Sequence, residues 1–287
     1  NPIVSMASLA VLKVKYDFQW LVLVHDVFPN NLVPAKVLSS SCFRYKMLAY
    51  LSKKMYSSPD SMICIGRDME KLLRDKVGNE KNIHYIPNWA PTEKIPCLAK
   101  ADNVIITQLG WQDNVVFQFF GNMGCLQGMD NLLKAIQQST HPQARFLFIG
   151  SGSKAGYVQS KLAQINDECG YDKNHFYGNL DLEKNHIGLN ACDVCLVTLS
   201  ENMFGLGVPS KAYFSMAADK PILYVGDRDS ELSVLLSEYP VGWTCEPEQP
   251  EMLARQLDNI TDALLINDVP KMQPRDLMIE HFSESFR

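Results

Sequence analysis

The 287-residue chain has no apolar run near the ~18 residues that suggest a membrane span, so none is expected. It has no dense block of lysine and arginine. Its 27 basic residues are outnumbered by 32 acidic ones, for a net charge of −5, which argues against generalised nucleic-acid binding. A disulfide framework is also absent. Cys42, Cys64, Cys97, Cys125, Cys169, Cys192, Cys195 and Cys245 lie scattered along the chain, a pattern that suits a reducing cytoplasm. Cys192-Asp-Val-Cys195 is a lone C-x-x-C with no second ligand pair, so packing is a better reading than zinc or redox chemistry. No carboxylate cluster announces a metal, and neither metal nor cofactor is expected. The opening Asn1-Pro-Ile-Val-Ser5 has no initiator methionine and no signal-peptide pattern. It reads as the middle of a domain that would need about 80–100 further residues to be complete.

What is present is a soluble-protein composition, 46% apolar and 21% charged, in a chain long enough for two domains. Short apolar runs alternate with helical patterns. The runs Leu21–Val24, Ser61–Ile65 and Ile83–Ile86 read as strands, with helical patterns at Tyr45–Leu51 and Asp68–Arg74. Residues 90–112, with Pro91, Pro96 and mixed polarity, read as a linker. A second series follows, with strands at Val115–Phe120, Arg145–Ile149, His175–Tyr177, Val194–Leu199, Pro221–Val225 and Gly242–Cys245. Its helices fall at Asp130–Gln138, Tyr157–Cys169, Lys184–Ala191, Lys211–Ala218, Ser230–Ser237 and Pro250–Ile260. Strands alternating with crossover helices call for parallel sheets covered on both faces. The expected fold is α/β, with two Rossmann-like domains facing a cleft and the first truncated at its N-terminus. Residues 1–105, with 274–287 crossing back, would form the first domain and 106–273 the second.

In such sheets ligands bind beyond the carboxyl ends of the strands. The strand Val115–Phe120 runs into Gly121, Gly124 and Gly128 before a helix begins. Glycine permits positive φ and close approach of a ligand, and free N–H groups at a helix start suit a diphosphate; a tight structural turn is the competing reading. Ile149-Gly-Ser-Gly-Ser153 and Tyr177-Gly-Asn-Leu-Asp181 are further strand exits. At a fourth, Gly207-Val-Pro-Ser-Lys211, Pro209 suits a first helical turn. There Ser210 offers a hydroxyl and Lys211 a cation to the same anion. Lys211 can equally be a solvated helix lysine.

In the first half Asp26 ends a strand and is a candidate base or acceptor contact, or else a turn cap. His25 beside it reads as a packed strand-end histidine. Arg44, Lys46, Lys53 and Lys54 lie among Phe43, Tyr45, Met47 and Leu51, which fits either a membrane-surface helix or a solvated face.

Together these motifs resemble glycosyltransferase family 4 of the GT-B fold over nearly the whole chain. The resemblance rests on G-N-M-G-x-x-Q-G at Gly121–Gly128, G-S-G at Gly150–Gly152, G-N-L at Gly178–Leu180 and P-S-K at Pro209–Lys211. It rests also on Gly242-Trp-x-Cys-Glu-Pro247, Val24–Pro29 and Ile86–Ala90. The P-S-K and glycine-loop forms look most like the bacterial surface-polysaccharide branch, with its fucosamine and colanic-acid transferases. Glu280–Ser283 resembles the start of that fold's closing helix.

The resemblance implies transfer of a sugar from a nucleotide-diphosphate donor to a glycan acceptor, lipid-linked included, by a cytoplasmic enzyme that can lie on a membrane. It implies that Gly121, Asn122 and Gly124 face the donor, and that Asn179 and Leu180 meet the base. Val208, Ser210 and Lys211 would hold the diphosphate, and Asp26 and His25 would lie on the acceptor side. Glu231 falls where the family often has a glutamate, though a helix-start acid explains it equally well. Retention of anomeric configuration is the usual outcome in this layout.

Departures accompany the match. Asn122, Gln127 and Cys125 occupy places where members of the family carry cations, and Leu206 and Phe214 fall where it has its two glutamates. Those losses keep a non-catalytic nucleotide-sugar-binding protein open as an alternative. A nucleotide-sugar epimerase would need paired acid/base carboxylates, which are not evident.

Overall fold

A computed structural model describes residues 3–283. The chain separates into two compact units: residues up to Asn88 with Asn202–Val208 and Asp227–Val234, and Trp89–Glu201 with Pro209–Gly226 and Leu235 onward.

The first unit contains α1 (Ile3–Lys15), β1 (Leu21–Val24), α2 (Phe43–Ser57), β2 (Ser61–Cys64), α3 (Arg67–Val77) and β3 (Asn82–Tyr85). Its strands form a parallel sheet in the order β1-β2-β3. Helix α3 shows how sequence makes the element. Asp68 and Glu70 lie in its first turn and Arg74 and Lys76 in its last, matching the helix dipole, while Met69 and Leu73 are buried one turn apart.

The second unit contains α4 (Val104–Leu109), β4 (Val115–Phe120), α5 (Met129–Gln138), β5 (Ala144–Ile149), α6 (Ala155–Cys169), β6 (Asn174–Gly178), α7 (Asn185–Leu189), β7 (Val194–Thr198), α8 (Lys211–Ala217) and β8 (Ile222–Val225). Then come α9 (Glu231–Glu238), whose first turn belongs to the first unit, β9 (Gly242–Cys245), α10 (Pro250–Leu265) and α11 (Pro274–His281). The six strands are parallel in the order β6-β5-β4-β7-β8-β9. This is a doubly wound α/β sheet whose order reverses between β4 and β7. With the first sheet, it makes the expected α/β fold of two Rossmann-like domains.

Helices cover both faces of the second sheet, which is why β4, β7 and β8 are apolar without alternation. Phe117 pairs with Phe146 and Phe119 with Phe148 across β4 and β5, their rings stacked at 5.5 and 5.9 Å. Gln118 points to the other face and donates to the Gly188 carbonyl at 2.7 Å, fastening α7 to the sheet.

Three differences from the sequence reading stand out. Residues 90–112 are not a bare linker, because α4 forms there with Asn103 as its cap and Ile105 and Ile106 buried. Helix α1 occupies residues to which the reading assigned no element. The closing helix ends at His281 where the reading had one beginning, and Ser283 then bridges to Ala90. Helices of six to eight residues show too few turns for periodicity to announce them.

The exits of β4, β5 and β6 are tied into one layer. Gly121 N–H donates to Ile149 O at 2.9 Å, Gly150 N–H to Gly178 O at 2.7 Å and Met123 N–H to Ser151 O at 2.7 Å. Gly150 has φ +134°, and a Cβ there would lie 2.0 Å from the Gly121 oxygen. Gly150→Ala should therefore destabilise the protein by at least about 2 kcal/mol in urea unfolding. Gly156→Ala, in α6 with open space around it, should stabilise by about 0.5–1 kcal/mol. Equal effects from the two would contradict this account of the loop layer.

Candidate functional site

The reversal of strand order puts the exits of β4 and β7 side by side, and the strongest candidate site of the second unit lies there. A cavity of ≈ 440 Å³ is lined by Phe120 and Gly121 from the β4 exit and by Ser210, Lys211 and Phe214 from α8. Lys94 and Ile95, with Leu182, Glu183, Asn185, His186 and Leu189, complete the wall. Helix α8 starts because Pro209 presets φ, and its first backward bond runs from Ala212 N–H to Pro209 O. Ser210 is exposed, and its hydroxyl makes no capping bond.

Lys211 is a half-buried cation of the cavity wall. Its ammonium sits 3.7 Å above the centroid of the Phe119 ring and donates to Gln127 Oε1 at 3.0 Å. Gln127 is itself fixed, since its carbonyl accepts from Thr198 Oγ1 at 2.6 Å. Among the described residues no carboxylate pairs with Lys211. Desolvation pushes its pKa down to about 7, opposed weakly by Cys195. A half-buried cation with no fixed counter-charge among the described residues is one that an anion would stabilise.

The glycine loop contributes less backbone than its sequence suggests. The Gly121 and Met123 amides are spent on the β5 loop. Those of Asn122 and Gly124 have no partner among the described residues and remain available. The Asn122 side chain is exposed over Gly124 and Gly152. Asn179 is exposed at the β6 exit, and Leu180 packs near Phe120 around Gly188. Gly121, Ser210 and Lys211 thus share one cavity, with Asn122, Gly124, Asn179 and Leu180 on the adjoining exits.

The remaining predicted residues lie in the first unit. Asp26 and His25 are exposed at the end of β1. Among the described residues the Asp26 carboxylate has no hydrogen bond, so it does not cap the following turn. The segment is held by its backbone instead, through Tyr56 OH to Asp26 O at 3.3 Å and Val27 N–H to Leu206 O at 3.2 Å. Val208 and Glu231 sit against Gly66, where a Cβ would meet them at 2.8 and 3.3 Å. Glu231 is 2% exposed. Its carboxylate accepts from Arg67 N at 2.6 Å, Arg67 Nε and Nη2 at 3.1 Å each, and Tyr85 OH at 2.7 Å. Asp68 is also buried; desolvation raises its pKa despite bonds from the Gly205 and Met69 amides.

These last contacts, and Phe119 under Lys211, were not found by sequence reasoning. The partners of Glu231 are 146 and 164 residues away, beyond any local pattern. Phe119 reads as one more apolar strand residue. Only Gln127 left a signal, as a polar residue where a cation was expected.

The model of the family described as "Glycosyl transferases group 1" matches residues 105–263, more than half of the chain. This protein belongs to that family. Among similar proteins, the "Probable glycosyltransferase WbjE" of Pseudomonas aeruginosa is 43% identical over 284 residues, covering 99% of this chain and 70% of the relative. WcaI of Escherichia coli (strain K12), provisionally named a colanic acid biosynthesis glycosyl transferase, is 24% identical over 72% of this chain and 50% of its own length. The crystal structure of Anabaena HepE in complex with UDP is similar at a TM-score of 0.76 and 15% identity, covering 97% of this chain and 72% of that one. Sucrose-phosphate synthase from Thermosynechococcus elongatus gives 0.74 and 20%, covering 96% and 67%. Identities this low carry the fold alone.

In this group 1 glycosyltransferase, Lys211 opposes folding as a cation. Its native pKa of about 7 lies below the ordinary lysine value of about 10.4. Between those values the unfolded chain binds more protons, so the Lys211 contribution makes stability rise with pH. Lys211→Met should be more stable than the parent at pH 6, with the gap narrowing towards pH 9, in urea midpoints. A less stable Lys211→Met would make the lysine a structural anchor.

Proposed function

We propose that the protein binds a nucleotide-diphosphate sugar at the second unit's strand exits and transfers the sugar to a glycan acceptor in surface-polysaccharide synthesis. The observation that carries this reading is the ammonium of Lys211, bonded to a neutral amide and to no carboxylate among the described residues, at the point where strand order reverses. The UDP and UDP-glucose complexes of HepE support a nucleotide-sugar donor, and the colanic acid name of WcaI supports the pathway class. Membership of family 4, and of its fucosamine branch, is part of the proposal. A lipid-linked acceptor is too.

The chemistry required is departure of the nucleoside diphosphate as an acceptor hydroxyl attacks the anomeric carbon. Charge grows on the bridging diphosphate oxygen as that bond breaks. We assign its stabilisation to Lys211, Ser210 and the free amides of Asn122 and Gly124, preorganised donors that need no reorientation. A reaction without a metal ion is part of the proposal. Asp26 is assigned to the acceptor, as a contact or as the base that takes the proton its hydroxyl loses. Asn179 and Leu180 are assigned to the base, and Gly121 to the approach of the donor. Val208 and Glu231 keep a proposed donor role. For Glu231 that role is indirect, because its oxygens already hold Arg67 and Tyr85. Retention of configuration is the proposed outcome.

A second reading, a non-catalytic nucleotide-sugar binder, is favoured by one observation. Where the resembled family has glutamates, Leu206 is buried and Phe214 lines the cavity. Transfer or hydrolysis of a nucleotide sugar that raises the melting point separates the two readings. Lys211→Ala should then lower turnover about 10²–10³-fold. An unchanged rate would remove Lys211 from the mechanism, and no turnover with any stabilising donor would favour the binder.

Peripheral membrane association is proposed through α2. Phe43, Met47, Tyr50 and Leu51 are exposed at i, i+4, i+7 and i+8. Arg44, Lys46, Lys53 and Lys54 accompany them, and the helix contains no acidic residue although the chain is acidic overall. No helix among the described residues is long and apolar enough to cross a membrane. Co-sedimentation with vesicles containing anionic lipid should occur at low salt and weaken in Met47→Glu. Equal recovery in the supernatant with and without vesicles would remove this contact.

A further inference from the structure

The ammonium of Lys211 is placed as half of an ion pair whose other half is not in the described protein. Beneath it is a phenyl face and beside it one neutral acceptor. The titratable groups that face it are few. Cys195 lies behind it on β7, a buried thiol tied to Cys192 at 3.4 Å. Lys94, Glu183 and His186 belong to the cavity wall. Gln127 is the only described side chain that bonds the ammonium, and its amide brings no charge.

Such an environment stabilises the ammonium poorly until an anion arrives. Resting on the nucleotide-diphosphate reading above, we propose that Gln127 positions Lys211 so that binding of the diphosphate draws a proton onto this lysine. The diphosphate then supplies the missing counter-charge. The ammonium, desolvated by Phe119 and the cavity wall, changes from the disfavoured to the favoured form as the anion binds. Its free-state pKa of about 7 places this exchange within the working range of a neutral cytoplasm. The proton comes from solvent and returns to it when the diphosphate leaves, so binding and release are coupled to pH without any further group.

The neutrality of Gln127 is what permits the coupling. A glutamate there would sit within bonding distance of the ammonium, keep it protonated without ligand, and repel the incoming phosphates. Gln127 is therefore a positioning residue that also leaves the charge of Lys211 uncommitted.

Calorimetric titration of the full chain with UDP, GDP and dTDP, in buffers of differing ionisation enthalpy at pH 8, tests this. At that pH the free diphosphates are already ionised, so uptake reports the protein. The parent should take up close to one proton per diphosphate bound, and its affinity should fall up to about tenfold from pH 8 to 9. Lys211→Arg, permanently charged, should bind with no uptake and no such fall. Gln127→Glu should show little uptake and bind at least about tenfold more weakly, while Gln127→Met should keep the uptake. Uptake that persists in Lys211→Arg would assign the proton to another group, His186 foremost, and overturn the inference. Binding by the parent without uptake would overturn it while leaving the donor reading intact. Failure of all three diphosphates to bind would overturn both.

Discussion

The account depends on a lysine ammonium held against a phenyl ring with no carboxylate among the described residues to pair with. Removing a cation from water without an opposite charge is costly. The fold tolerates it because the Phe119 face and one amide oxygen offset part of the loss. Lys173 makes a useful contrast. It is more deeply buried, yet it donates to the Ile136 and Ser139 carbonyls and so closes a loop rather than facing a cavity. Burial alone does not distinguish the two; the binding role proposed for Lys211 rests on burial with bonding capacity unspent.

Everything around Lys211 follows from the sheet. Six parallel strands in the order β6-β5-β4-β7-β8-β9 send all their exits to one edge and open a crevice where β4 and β7 diverge. The exits are then fused by backbone bonds. Gly150 and Gly152 are glycines because the neighbouring loop's atoms occupy the space a side chain would need. The glycine content is thus shared between two tasks. Some residues bring loops into contact, while others, Gly124 with Asn122 beside it, leave amides free.

Much of this was legible in the sequence. The second unit's strands were found within a residue or two, the central ones because buried parallel strands give long apolar runs. The strand-exit motifs located Gly121, Ser210 and Lys211, which share a cavity. What was not legible depends on distance along the chain. The bidentate Arg67–Glu231 pair, the Tyr85 hydroxyl on the same carboxylate and the Asp68–Gly205 bond join segments more than 130 residues apart, as 146, 164 and 137 residues separate the partners. Gln127 was read as a lost cation, whereas its bond to Lys211 gives it a positive role. A lysine at that position would face Lys211 across hydrogen-bonding distance and repel it. Whether Asp26 caps the following turn was not legible either, because only side-chain contacts show its carboxylate exposed and without a hydrogen bond among the described residues.

A crystal structure with a nucleoside diphosphate bound tests the central claim most directly. The account predicts phosphate oxygens at ~2.8 Å from Lys211 Nζ, with the Ser210 hydroxyl and the Asn122 or Gly124 amide on the same group. Diphosphate density away from the β4 and β7 exits, or a Lys211 that still bonds only Gln127 in the bound state, would contradict it.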